Sequence, residues 1–265
     1  MEDSHYALHF LPARQRAVVD AFDAFCRELR AIPKSVRDPG VAQAKLAWWQ
    51  KEVNLCFDGQ PTHPVLQSLA PHLRTYGIAR EHLLAITEGC CMDLAQARYF
   101  SFPELQHYCD LVAGAREVVC ARIFGQTAAQ TADYARQAGG ALQLTRLIRN
   151  VGRDGRRNRI YLPADELDRF SVPESEILAG TYSDRFARLM EFQVQRARGL
   201  FDAALDQLPQ VDRLRQKPGL TQISLYLALL REIEAENYDV LSQRIDLSSL
   251  RKSWLAWKMQ ALGRF

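Results

Sequence analysis

Apolar residues recur along this chain at the three- and four-residue spacing of a helix face, while alternating strand patterns are scarce. The periodicity predicts helices over 13–32, 39–57, 63–76, 80–98, 102–124, 127–151, 184–207, 211–236 and 248–262. Breaks fall where proline and glycine cluster: Pro33, Pro39 with Gly40, Gly59 with Pro61, Pro163, Pro173, Gly180, Pro209, and Pro218 with Gly219. The connections are short, and no Ser- or Gly-rich linker or internal repeat divides the pattern. The expectation is one all-α domain over residues 1–265. Segments 102–124 and 220–230 are apolar almost all round, as in helices enclosed by others. They predict a central layer, around either a filled core or a deep central cavity.

One stretch departs from the apolar pattern: QLTRLIRNVGRDGRRNRIYLP, residues 143–163. On a helix, Gln143, Arg146, Leu147, Asn150, Arg153 and Asp154 share a stripe. Such amides and charges are costly to bury unless they face a cavity, an anion or one another.

Composition narrows the partner class. The 265 residues are 48% hydrophobic, enough for a substantial core. A net charge of +3 is too mild to imply nucleic acid, although basic residues concentrate between Arg146 and Arg159. The six cysteines form no C-x-x-C pair and read as reduced thiols on apolar helix faces. His5, His9, His63, His72, His82 and His107 have no metal-ligand spacing, and no nucleophile elbow, P-loop or dinucleotide fingerprint occurs. Without a signal-peptide pattern or an 18-residue apolar run, the chain is expected to be cytoplasmic or peripheral to a membrane. Its tail, RKSWLAWKMQALGRF (251–265), sets Trp254, Leu255, Trp257, Met259 and Leu262 among Arg251, Lys252, Lys258 and Arg264. That composition suits a helix packed on the domain, one docked on a protein partner, or one lying on a membrane surface.

Several blocks in order carry a family resemblance: FLPARQRAV (10–18), DAFCRE (23–28), AKLAWWQKEV (44–53), THPV (62–65), MDLAQARYFSFPELQHYC (92–109), the 143–163 stretch and YDVLSQRIDLSSLRK (238–252). Together they resemble the squalene and phytoene synthase family. The likeness is nearest to its bacterial squalene and hopanoid branch, which includes presqualene diphosphate synthases. The resemblance implies an isoprenoid (terpenoid) synthase fold in which two aspartate-rich helices hold Mg2+ against substrate diphosphates. Hard divalent ions take oxygen ligands and offset charge on the departing diphosphate.

Most of those carboxylates are replaced. Where the family carries D-D-x-x-D after its first C-R motif, this chain has Arg30, Ala31 and Lys34, with Pro33 expected to interrupt the helix. In the second motif, Asn150 and Arg153 stand for Asp and Glu, Arg146 stands for Asn, and only Asp154 is kept. Cys91 occupies a third acidic position, with Asp93 retained nearby. AGARE (113–117) replaces the family's small A-G-T-V-G, so Arg116 and Glu117 are expected to line the cavity and take up prenyl space, alongside Gln143 and Tyr161. Two unit charges about 4 Å apart interact by about 4 kcal/mol at an effective dielectric near 20, so a cation in a ligand's place repels Mg2+. No metal or other cofactor is therefore expected, the vestigial Asp93, Asn150 and Asp154 being the candidates if Mg2+ binds at all.

Three functional classes follow. Arg30, Lys34, Arg146, Arg149, Arg153 and Arg159 could take an isoprenoid diphosphate or lipid directly, since guanidinium forks match phosphate oxygens. The cations could instead pair internally and fill the old cavity, leaving an accessory or assembly protein, as the resemblance to aspartate-depleted relatives linked with respiratory-complex assembly implies. The alternative is an active prenyl transferase with a rearranged, Mg2+-dependent site.

Overall fold

The computed structural model describes residues 4–36 and 38–262, so His5's side chain, Arg37 and Arg264 lie outside the described residues. Among those described there is no strand. The helices are α1 (Ser4–Leu8), α2 (Ala13–Ser35), α3 (Pro39–Phe57), α4 (Pro64–Leu73), α5 (Arg80–Ala95), α6 (Phe102–Cys109), α7 (Ala115–Ile123) and α8 (Thr131–Gly155). They continue with α9 (Ala164–Arg169), α10 (Glu174–Ala179), α11 (Asp184–Gln207), α12 (Gln210–Arg213), α13 (Lys217–Ala235) and α14 (Ser249–Leu262). A π-helical turn, Asp110–Gly114, joins α6 to α7.

The packing has two apolar centres. One lies around α8, α11 and α13, with Phe186, Met190, Val194, Phe201 and Ile223 fully enclosed. The other joins α2 to α5 and α7 through Phe22, Phe25, Leu46, Leu66 and Val119. Of the 102–124 segment read as apolar all round, 115–123 packs against both centres and is buried almost throughout, whereas Pro103, Gln106 and His107 are exposed, so the reading holds for its second half alone.

Local chemistry sets the boundaries. Asp38 accepts the Val41 amide at 2.9 Å and caps α3, and Ser183 caps α11 through the Phe186 amide. Glu52 accepts from the Thr62 hydroxyl at 2.6 Å and the His63 amide at 3.0 Å, tying α3 to the entry of α4. Asp212, fully buried, is held by the hydroxyls of Thr127 and Thr131 and the amides of Thr127 and Ala128. Burial opposes its charge, but these donors outweigh it and hold the carboxyl well below the usual range.

Pro33 does not interrupt α2, which runs on to Ser35. The predicted 211–236 helix divides at Leu214–Gln216, and the predicted 127–151 helix begins later and runs further, to Gly155. Three helices of five or six residues, α1, α9 and α10, lacked enough length to show a period.

Candidate functional site

Two helices supply most of one cavity. On α2, Asp23, Arg27, Arg30 and Lys34 recur at i, i+4, i+7 and i+11, one stripe of the helix. On α8, Gln143, Arg146, Leu147, Arg149, Asn150, Arg153 and Asp154 project into the same space. Cys90 and Asp93 of α5, Tyr108, Val112, Tyr161 and Tyr226 complete a cavity of about 530 Å³. The polar stripe read from 143–154 therefore faces open volume.

Two close backbone approaches position α8. A Cβ on Gly139 would lie 2.5 Å from the Ala113 carbonyl, so only glycine lets α8 meet the π-helical turn directly. A Cβ on Gly152 would lie 2.6 Å from the Leu241 carbonyl, which lets the 240–247 segment pass close enough for Asp246 to reach Arg149 at 3.5 Å. The π turn contributes in its own right: the Val112 carbonyl accepts Arg30 Nη2 at 2.6 Å, and π turns present backbone groups in this way.

The cations outnumber the carboxylates on the wall, six (Arg27, Arg30, Lys34, Arg146, Arg149, Arg153) to three (Asp23, Asp93, Asp154). Each carboxylate already has a cation. Asp23 Oδ1 accepts Arg116 Nη2 at 2.9 Å. Asp93 Oδ1 accepts Tyr161 Oη at 2.6 Å and Arg159 Nη2 at 2.7 Å. Asp154 Oδ1 meets Arg153 Nε at 3.3 Å, while burial raises its carboxyl above the usual range against the pull of Arg153 and Lys34. Arg146 donates from Nε to Tyr226 Oη at 2.7 Å, with its guanidinium 5.4 Å from that ring's centre.

Tyr161 stacks against both Tyr99 and Tyr108, 5.7 Å from each ring centre, and those two rings lie 5.5 Å apart, so the three form a triangular cluster. Burial, with the Asp93 charge added, pushes the Tyr161 and Tyr108 phenols up, so both stay protonated donors. Burial likewise pushes the Cys26 thiol up to about 11 and Cys90 up to about 12, so neither is a thiolate nucleophile at neutral pH.

Four expected site residues lie elsewhere. Cys91 is half-buried against the α2–α5 core, and its neighbour Cys90 is the one on the wall, since adjacent helical residues point about 100° apart. Arg116 and Glu117 do not line the cavity. Arg116 is fully enclosed, paired with the wall residue Asp23 and with Glu117, and Arg116 and Glu117 fill the space behind the wall. Arg159 is also outside the cavity proper, holding Asp93 from behind and donating to the Gln96 carbonyl at 2.9 Å. The choice between open cavity and ion-paired fill thus resolves into both, in adjoining layers. Arg27 and Asp23 went unremarked as site residues, although the α2 stripe that holds Arg30 and Lys34 contains them. Tyr226 had no signal, lying in a segment that is apolar nearly all round.

The chain is all-helical around a charged cavity, with no strand among the described residues, and it superposes on synthases of the isoprenoid-synthase fold. A family model described as squalene/phytoene synthase matches residues 2–251, and the chain belongs to that family. It is 30% identical over 255 residues to a phytoene synthase of Arthrospira platensis, covering 91% of this chain and 82% of that one. It is 31% identical over 257 residues to a 15-cis-phytoene synthase of Synechococcus elongatus, with the same coverage of 91% and 82%. Among solved structures, a dehydrosqualene synthase in complex with ligand superposes with a TM-score of 0.85 at 22% identity, covering 98% of this chain and 91% of that one. The squalene synthase HpnC from Alicyclobacillus acidocaldarius superposes with a TM-score of 0.80 at 25% identity, covering 90% of each.

The Mg2+ that the family implies does not fit the donors present. Among the described residues no three His, Cys, Asp or Glu side chains converge as a metal site. Asp93 is engaged by Arg159 and Tyr161, Asp154 is buried beside Arg153, and Arg30, Lys34 and Arg153 occupy the positions that the resemblance assigns to carboxylates.

Proposed function

We propose that this chain binds one phosphorylated isoprenoid in its cavity through direct contacts from arginines, without Mg2+, and has lost the metal-dependent head-to-head condensation. The observation that carries the reading is the excess of cations around about 530 Å³ of open volume whose carboxylates are already paired. Arg30, Arg146 and Arg149 are anchored at a carbonyl, a phenol and a carboxylate respectively, which orders their forks before an anion arrives. Preordered guanidinium groups take phosphate oxygens in charge-assisted pairs at little further entropic cost. A volume of this size suits one ligand rather than two prenyl chains side by side.

The protein then acts as a non-catalytic lipid-phosphate binder with an accessory or assembly role, working as one domain in the cytoplasm. Continuity of the family match from residue 2 to 251 supports the single unit. No described helix is long and apolar enough to cross a membrane.

A second reading is an active prenyl transferase with a reduced metal complement. The retained Tyr161–Asp93 pair and roughly 30% identity to phytoene synthases favour it. Calorimetric titration with farnesyl diphosphate, in Mg2+ and again in EDTA, followed by a pyrophosphate-release assay, separates the two. Binding that survives EDTA without release is the expected result; metal-dependent binding with release overturns the proposal.

A further inference from the structure

The last helix carries an apolar stripe on the side turned away from the domain. Its inner face docks through Ala256 and Met259, both buried against neighbouring helices, and through Lys252, whose ammonium meets Asp246 at 2.7 Å. On the outer face, Leu250, Trp254, Trp257 and Ala261 recur at i, i+4, i+7 and i+11. Leu250 is 85% exposed, Trp254 55% and Trp257 57%. Single exposed apolar residues are ordinary; a row with two tryptophans along one helix face is not.

The charges beside the row indicate what covers it. Lys258 lies 5.5 Å from the Trp254 ring centre, and Arg251 flanks the row while pairing with Glu232. On the described part of this helix, Arg251 and Lys258 are the cations beside the row, and α14 itself carries no Asp or Glu. A second copy of the chain would set these cations against their like, which disfavours self-association through this face. An anionic bilayer offers the complement. Indole rings sit at headgroup level, and flanking cations meet lipid phosphates.

We infer that α14 lays its Leu250–Trp254–Trp257 row on an anionic lipid surface, making the protein a peripheral membrane protein. The helix is rooted beside the cavity, because Asp246 joins Lys252 to Arg149 of the cavity wall. Capture of a membrane-derived ligand at that wall rests on the proposed function; the docking itself does not.

The test is co-sedimentation with vesicles of phosphatidylglycerol mixed into phosphatidylcholine, against pure phosphatidylcholine, neither containing any isoprenoid phosphate. The wild type should bind the anionic vesicles at least tenfold more tightly, weaken in high salt, and show a blue-shifted tryptophan emission when bound. Trp254→Ser with Trp257→Ser should lower the partition tenfold or more at unchanged far-UV circular dichroism. Should that variant misfold, Lys258→Glu, a solvent-side change, should still reduce the preference for anionic vesicles. Three results overturn the inference: no vesicle-bound wild type, binding undiminished in folded variants, or a wild-type dimer in sedimentation that the tryptophan changes dissolve. Each can arise whether or not farnesyl diphosphate binds the cavity, so failure here is distinct from failure of the proposed function.

Discussion

Two buried polar clusters in this molecule use charge in opposite ways. At Asp212 one fully buried carboxylate is enclosed by short side-chain and backbone donors. In the cavity between α2 and α8, six cations face three carboxylates across about 530 Å³. The first arrangement is satisfied by the chain alone; the second leaves an excess of cations on the wall, which under the proposed function an anion would complete. Between them stands the Arg116 network, where the chain supplies both signs and leaves no room. A buried charge marks a binding site when its field is left uncompensated, and a structural joint when the donors close around it.

The largest effect should come from breaking a closed cluster. Arg116→Ala strands Asp23 and Glu117 in the interior and should cost about 3–5 kcal/mol, as removal of one member of a buried ion pair does. Denaturant unfolding measures it. Adding Asp23→Asn and Glu117→Gln should return most of the loss, because the penalty lies in the unpaired charges rather than in missing attraction. A triple variant no more stable than the single one would show that packing, not charge, sets the cost.

Asp212→Ala should follow, at about 3 kcal/mol for the loss of several bonds to a charged group. Its pH signature has a definite sign. The folded-state pKa is depressed, so the contribution is fully present above the unfolded value of about 3.9 and is lost as pH falls through the folded value. Wild-type stability should therefore decline below about pH 4 with a component that Asp212→Asn lacks. Neither Asp212 variant should alter ligand affinity in the folded protein, which keeps the two clusters separable.

The fold was legible because helical periodicity and the ordered family blocks do not depend on what the cavity holds. The α8 stripe was legible for the same reason: its polar residues recur at helical spacing. Arg116 and Glu117 were misplaced because sequence shows that large charged residues replaced small ones, not that Asp23 lies within 2.9 Å to close the pair behind the wall. Pro33 was read as a break, yet a proline near a helix's last turn removes little bonding and α2 carries on two residues past it. The face of Cys90 against Cys91 turned on a single residue of phase. Of the tail's readings, packing on the domain holds for one face, with the tryptophans left outside.

Effects on the open cluster should be smaller in free energy but specific to binding. Arg30→Ala and Arg146→Ala should each weaken farnesyl diphosphate binding in EDTA by tenfold or more, in line with about 1.5–3 kcal/mol for a hydrogen bond to a charged group. Chemical denaturation should report each variant's stability in parallel. Equal affinity in both variants would move the anion off this wall.

The smallest change gives the sharpest division between the two functional readings. Asp154 is the carboxylate kept from the family's second motif, is buried, and has a raised carboxyl pKa, chiefly from desolvation. For a protein that grips phosphate with arginines, Asp154 is a competitor for Arg153 and a repulsive charge on the wall. Asp154→Asn should then tighten farnesyl diphosphate binding in EDTA, by about threefold for a partly screened like-charge contact of under 1 kcal/mol. For a residual metal enzyme, the same change removes an anionic oxygen ligand from an already depleted set, and Mg2+-dependent binding should collapse. Isothermal titration of this one variant gives opposite signs under the two mechanisms. Tightening in EDTA completes the contrast with Asp212, since the same residue type would be indispensable where donors close around it and a hindrance where cations wait for a ligand.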